Sequence, residues 1–270
     1  MSAFDPLQTF SWSTYLQSGK SRGRRYFMCR ILCQAAKWAS LAGFCLLFVT
    51  FGMAVSAADS GEIFEIVPGV TIKKRQFPSP PNVQPFYGFA EKSAEQKSAD
   101  EVFVKKAVEM IGDRQKASIA SVKAGFEAVN SKDCKSAMAR FNQAFLLDRK
   151  NGPLYFGYAI CVLQAYKDPT YAQELLRVHY EIDPSPMFQA LELYGMMLLR
   201  SQKFSKAVPV FTKATNTNPG HFMSWLNLGW AKFLSGDRKG ACTIVVAVGT
   251  HPKFENEKFK LQDLAAKASC

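Results

Sequence analysis

Leu191–Pro219, LELYGMMLLRSQKFSKAVPVFTKATNTNP, decides the fold. Its apolar residues recur at helical spacing in two short runs, predicting helices over roughly Phe188–Ser201 and Phe204–Thr215 with a tight polar turn between them. Gly195 and Ala207 lack bulk where two such helices would cross. Phe211 and Ala214 continue the buried face of the second helix. Pro219 ends the unit, because it has no amide proton and cannot continue a helix. Pro209 falls inside the second helix and predicts a bend there. A lone helical hairpin cannot bury both faces, so the stretch calls for copies of itself.

The ladder Gly195, Ala207, Phe211, Ala214, Pro219 recurs at a period of about 34. Downstream stand Trp225, Leu228, Gly229, Gly236 and Ala241, with Val245 and Val248 for the Phe and the second Ala. Upstream stand Ala159, Ala172, Leu176, Ile182, Asp183 and Pro184, with one extra residue in the turn around Lys167–Thr170. Further upstream come Gly125, Ala137, Phe141, Ala144, Leu147 and Asp148. From Ser118 to Pro252, half of the chain, this spacing resembles the tetratricopeptide repeat (TPR) family, W-x2-L-G-x2-Y then A-x3-F then P. Arg149 and Lys253 at the Pro position, His179 at a small-residue position and Lys232 at the aromatic one depart from that pattern. The resemblance implies an all-α fold, a right-handed helical-hairpin solenoid of about four repeats, behind an N-terminal extended or irregular segment. A non-repeat helical bundle is the alternative.

The chain divides into residues 1–57, a leader; 58–99, an extended segment rich in Pro and aromatics; 100–252, a helix and four repeats; and 253–270, a capping helix. In the leader, Lys20, Arg22, Arg24, Arg25, Arg30 and Lys37 face a single acid, Asp5. An uncharged run, Leu41–Val55, and the small residues Ser56-Ala57-Ala58 follow. These are the parts of a secretory signal, with cleavage after Ala57 and Ala58 a close alternative. The apolar run is short of the roughly twenty residues a membrane span needs. A start at Met28 would give a signal of ordinary length. The expectation is an exported, periplasmic protein; an uncleaved signal anchor, with the repeats outside the cytoplasm, is the alternative. Membrane contact would then come through the leader alone.

Residues 1–57 hold six of the 34 bases and one of the 22 acids, which leaves a mildly basic +7. No Lys/Arg cluster interleaved with stacking aromatics speaks for nucleic acid. Glu62–Ile72 alternates enough for one or two short strands around Pro68-Gly69, Phe77–Tyr87 reads as extended, and Glu91–Ala99 as loose. Helix resumes at about Asp100 and Gly112 stops it. Glu255–Ala268 reads as one polar-faced capping helix.

Cys134, Cys161, Cys242 and Cys270 remain after the leader. Each pair joins the start of a second helix to the helix after it, so Cys134–Cys161 and Cys242–Cys270 are candidate disulfides in an exported chain, four free thiols being the alternative. No C-x2-C supports a zinc site. His179, His221 and His251 are 42 and 30 residues apart, and no G-x-S-x-G, H-E-x-x-H or phosphate-cradling loop occurs. The expectation is therefore no enzyme, no metal and no cofactor. Asp148 and Asp183 read as caps of repeat junctions.

The TPR resemblance also implies which residues face a concave groove. They are Val122, Phe126 and Val129; Phe156, Ile160 and Leu163; Glu192, Met196 and Leu199; and Leu226, Trp230 and Phe233. Val122, Phe126, Gly157, Gln189 and Leu193 stand where the chaperone-binding class carries Lys, Asn and Arg, so that clamp is missing. The candidate binding strip is Phe126, Phe156, Ile160, Leu163, Met196, Leu199, Trp230 and Phe233. Such an apolar strip is either core, or covered by the chain's own Phe64–Tyr87, or the seat of a protein or peptide partner. The second reading predicts Phe77, Phe86 or Tyr87 against Phe126, Phe156 or Ile160. The resemblance implies an interaction or assembly module, and the look of the leader puts it in a bacterial envelope; a membrane-anchored scaffold of a secretion, pilus or cell-wall complex, or an accessory subunit regulating an enzyme, are the alternatives.

Overall fold

The computed structural model describes residues 58–270, with side chains from Gly61 onward. The leader, with its cleavage site and Met28, lies outside the described residues. Strands β1 (Ala58–Val67) and β2 (Val70–Gln76) pair antiparallel across Pro68-Gly69, with Phe64 opposite Ile72 and Val67 opposite Val70. Gly69 takes the positive φ of 82° that the turn requires, and its amide donates to Glu65 Oε1 at 3.1 Å. The hairpin is longer than the sequence predicts, because Thr71–Gln76 keep pairing beyond the alternating core.

Ten α-helices follow among the described residues: α1 (Ala94–Ile111), α2 (Arg114–Asn130), α3 (Cys134–Leu147), α4 (Pro153–Cys161), α5 (Pro169–Ile182), α6 (Phe188–Arg200), α7 (Phe204–Thr217), α8 (Phe222–Leu234), α9 (Arg238–Gly249) and α10 (Gln262–Ala268). Helix α1 begins six residues before the expected Asp100. The reason is a capping box: Ser93 accepts from the Gln96 amide, and the Gln96 side chain accepts from the Ser93 amide. Helix α7 runs through Pro209 as one element. The C-terminus is not one helix but two 3-10 turns, Pro252–Phe254 and Lys258–Leu261, before the short α10.

Helices pack in consecutive pairs, α2 on α3, α4 on α5, α6 on α7 and α8 on α9. Connections of three residues, or between α4 and α5 a π-helical turn and two residues, join helices that touch along their length and force each pair antiparallel. The same backbone device makes each turn. Lys132, Lys167, Gln202 and Gly236, spaced 35, 35 and 34 residues apart, all take positive φ (60°, 56°, 57° and 96°). In three of the four, an Asp follows and caps the second helix: Asp133 accepts from Lys135 and Ser136, Asp168 from Tyr171, Asp237 from Gly240. Lys203 holds that place before α7 and supplies no side-chain cap.

Within the pairs, a ring sits where glycine leaves room. A Cβ on Gly125 would lie 2.4 Å from the Phe141 ring, and one on Gly195 2.6 Å from that of Phe211. Gly157, which the sequence ladder passes over, faces Phe141 from the other side at 2.2 Å. In the last pair the expected Val245 is only half-buried; Ile244 and, from α10, Leu264 fill the space against Gly229 instead. The extra residue between α4 and α5 is absorbed by a π-helical turn, Val162–Tyr166, at the end of α4.

Candidate functional site

The predicted strip divides by depth. Phe126 (4% exposed), Phe156 (0%), Ile160 (3%) and Leu163 (2%) are buried, and the rings of Phe126 and Phe156 meet at 5.8 Å. Met196, Leu199, Trp230 and Phe233 are half-buried. Met196 and Leu199 on α6 correspond, 34 residues on, to Trp230 and Phe233 on α8, so the four occupy equal places on successive first helices. The Trp230 and Phe233 rings meet edge to face at 5.9 Å. Lys267 of α10 lies 5.4 Å over Trp230, and Arg238 lies 5.8 Å over Phe233.

Beside this strip is a polar cluster that the sequence did not single out. Ser224 Oγ donates to Glu192 Oε1 at 2.7 Å and meets His221 Nδ1 at 2.8 Å. Burial pushes the Glu192 carboxyl above its ordinary value, while the Ser224 hydrogen bond and the His221 charge pull the other way. Ser224 is shared between the acid and the imidazole, so its hydroxyl is spoken for and the group ties α6 to α8. His179 is buried, and burial pushes its imidazole below the ordinary value; its Nε2 accepts from the Met187 amide at 3.3 Å. Asp148 and Asp183 accept from the amides of Lys150 and Ser185, closing the junction turns. Among the described residues there is no group of three or more His, Cys, Asp or Glu placed to hold a metal.

The aromatic N-terminal segment does not meet Phe126, Phe156 or Ile160 in any ring contact among the described residues. Phe77 stacks on Tyr166 at 3.9 Å and approaches Tyr171 at 5.9 Å. Phe86 enters a pocket of Phe145, Tyr155 and Tyr158, at 5.1, 6.2 and 5.0 Å. The segment therefore lies on α3 and α5, the second helices of their pairs, and on the Tyr155–Tyr158 face of α4 and the π turn after it. Helical spacing explains the difference: on α4, Tyr155 and Tyr158 share one face while Phe156 and Ile160 share another. Asn142 secures the choice. Its Nδ2 donates to the carbonyls of Asn82 (3.0 Å) and Gln84 (2.9 Å), and its Oδ1 accepts from the Tyr158 hydroxyl at 2.6 Å and the Tyr87 amide at 3.4 Å. The π turn adds Tyr166, whose hydroxyl donates to Val83 O at 2.8 Å. Arg75 pairs with Asp168, and Arg177 donates to Thr71 O, tying β2 to α5.

Cys242 and Cys270 form a disulfide with Cα atoms 5.3 Å apart, joining α9 to the chain end. Cys134 and Cys161 are free thiols beside each other, where the sequence offered them as a second bridge. The hydrogen bond from its neighbour lowers the Cys134 thiol and burial pushes the Cys161 thiol up.

No protein-family model and no curated protein matches the chain. Among solved structures it is similar to one titled MamA MSR-1 C2, at 18% identity, over 56% of this chain and 94% of that one, with a TM-score of 0.39. At that score the likeness is too low to bear on function. Among the described residues no helix is long and apolar enough to cross a membrane.

Proposed function

We propose that the chain is an exported protein–protein interaction module whose α2–α9 form four TPR-type repeats in a right-handed solenoid. In this reading residues 1–57 are the leader, Ala58–Ala90 a strap on the outer helices, and α10 the cap. The half-buried Met196, Leu199, Trp230 and Phe233 carry it: large apolar side chains repeated at equal places on neighbouring helices and left within reach of solvent. An apolar peptide of a partner, ending or flanked in acid to meet Arg238 and Lys267, suits that strip. Phe126, Phe156, Ile160 and Leu163, buried on α2, α4 and the π turn, serve as packing of the two earlier pairs. The periplasm is the proposed compartment, and a retained leader would make the same module a membrane-anchored scaffold.

Crosslinking in intact cells, followed by capture from the envelope fraction, tests the reading. Trp230→Glu should abolish capture of the partner that the unaltered chain retains, with far-UV circular dichroism unchanged. Phe156→Glu should unfold the protein, since an unpaired charge at a fully buried site costs several kcal/mol. Equal capture by Trp230→Glu and the unaltered chain would remove the strip from consideration. The mass of the mature N-terminus tests export separately: a chain beginning at Ala58 agrees, one retaining Met1 or Met28 gives the anchored form.

A further inference from the structure

Between the β-hairpin, the segment Pro85–Ala90 and helices α1 and α3 lies a cleft of about 330 Å³. Its floor is aromatic. Phe64 meets Phe89 at 5.3 Å, Phe89 meets Phe86 at 5.1 Å, and Phe86 meets Phe145 at 5.1 Å. Its mouth is basic: Lys74, Lys92, Lys97 and Arg149 line it, against the single carboxylate of Asp100. Lys92 is taken up by Asp100, and Lys74 by Glu62 at 2.7 Å. Lys97 and Arg149 make no ion pair among the described residues. The Arg149 guanidinium lies 5.0 Å over Phe145 and 5.7 Å over Phe64, so an uncompensated cation rests directly on the apolar floor. A neighbouring hollow of about 280 Å³ shares Phe145, Leu146 and Arg149 and adds Arg114, whose donors go to the Leu146 and Leu147 carbonyls. Asp148 also lines that hollow and turns Oδ1 to the Lys150 amide.

A second observation falls on the same wall. Phe86, Tyr87, Gly88 and Phe89 take φ of 56°, 54°, 63° and 56°, a full left-handed turn in which only the glycine is at ease. In the other three the Cβ crowds the following carbonyl oxygen. A Cβ at Gly88 would sit 2.9 Å from the Gln84 side chain, whose Oε1 is held by the Phe77 amide at 2.7 Å. Covering α3 needs no such turn, since extended chain would serve. What the turn achieves is to set the Phe86 and Phe89 rings side by side on the cleft floor. Strain held at one place by surrounding anchors is a mark of a binding site.

We propose that this cleft binds a small amphiphilic carboxylate, an apolar body of about ten carbons ending in a single anionic group. The planar guanidinium fork of Arg149 matches a carboxylate with two parallel hydrogen bonds, and Lys97 supplies the second positive charge. A monoanion fits the two uncompensated cations at the mouth, and the rings below take the apolar body. This site is separate from the Met196–Phe233 strip and does not depend on it.

Titration calorimetry on the full chain with decanoate, decanol and decylammonium, all below micelle formation, tests the proposal. Decanoate should bind saturably, one per chain, at least about tenfold tighter than decanol, the difference that one charge-assisted hydrogen bond supplies. Decylammonium should not bind. Arg149→Gln should weaken decanoate about tenfold and leave decanol and the melting temperature unchanged. Lys97→Gln, at an exposed site on α1, should weaken decanoate in the same direction and serves where Arg149→Gln disturbs folding. Decanol binding as tightly as decanoate, indifference to both substitutions, or no decanoate binding at about 1 mM would each overturn it.

Discussion

At Gly195 an added methyl would lie 2.6 Å from the fully buried ring of Phe211. Two effects compete there. Alanine is favoured over glycine inside a helix by about 1 kcal/mol, whereas forcing atoms into a packed core costs about 1–3 kcal/mol. The ring is held on all sides and cannot yield, so the second effect wins. Gly195→Ala should lower the urea midpoint, while Gly249→Ala, whose methyl would make ordinary contact with Leu261 at 3.7 Å, should leave it unchanged or raise it. A midpoint that rises for Gly195→Ala would mean that the glycine–ring contact is not what sets the spacing of α6 and α7. Gly125 and Phe141 repeat the arrangement two units earlier, which is why both glycines were legible in the sequence. Gly157 was not, because it belongs to the contact between pairs, and no periodic position marks it.

On α3 the polar hold on the N-terminal strap comes largely from one side chain. Three of its backbone groups, at Asn82, Gln84 and Tyr87, depend on the one side chain of Asn142, with the Tyr158 hydroxyl as the fourth partner. Replacing Asn142 by Leu would leave buried acceptors and a buried hydroxyl without partners, at about 1–3 kcal/mol for each group that water cannot reach. Amide exchange across residues 77–90 should then lose its protection while α4 to α9 keep theirs. Uniform loss over the whole chain would show that the strap and the helices unfold as one unit. The strap also shows where sequence reading falls short. Its aromatics and prolines announced a segment that packs on something, and Glu62–Ile72 announced strands. Which helix face receives it was decided by Asn142 and by the π turn that lifts Tyr166, and neither has a periodic signature.

At the scale of the whole molecule, a stack of helix pairs is weakest at its ends, because a terminal unit has one neighbour. Here the last pair is closed by α10, whose Leu264 covers Gly229, and by the Cys242–Cys270 disulfide across 28 residues. By the chain-entropy relation a loop of that length is worth about 3.5 kcal/mol. The double substitution Cys242→Ser, Cys270→Ser should open the exchange of α9 and α10 first, with α2 to α5 protected as before. If stability under reducing and non-reducing conditions is the same, the bond closes nothing that packing does not already hold.

By itself the sequence determined the helix pairs, since a glycine, an alanine and a ring at a fixed spacing can be buried only by a neighbour built the same way. It also marked Asp148 and Asp183 as junction residues and Trp230 and Phe233 as members of an apolar strip. Only the tertiary structure decided how deep each member of that strip lies, because burial depends on what the next pair and the cap lay over it. The same holds for the basic mouth over the four phenylalanines. Phe64, Phe86, Phe89, Phe145 and Arg149 come from a strand, a left-handed turn and the end of α3, and nothing in their order along the chain says that they meet.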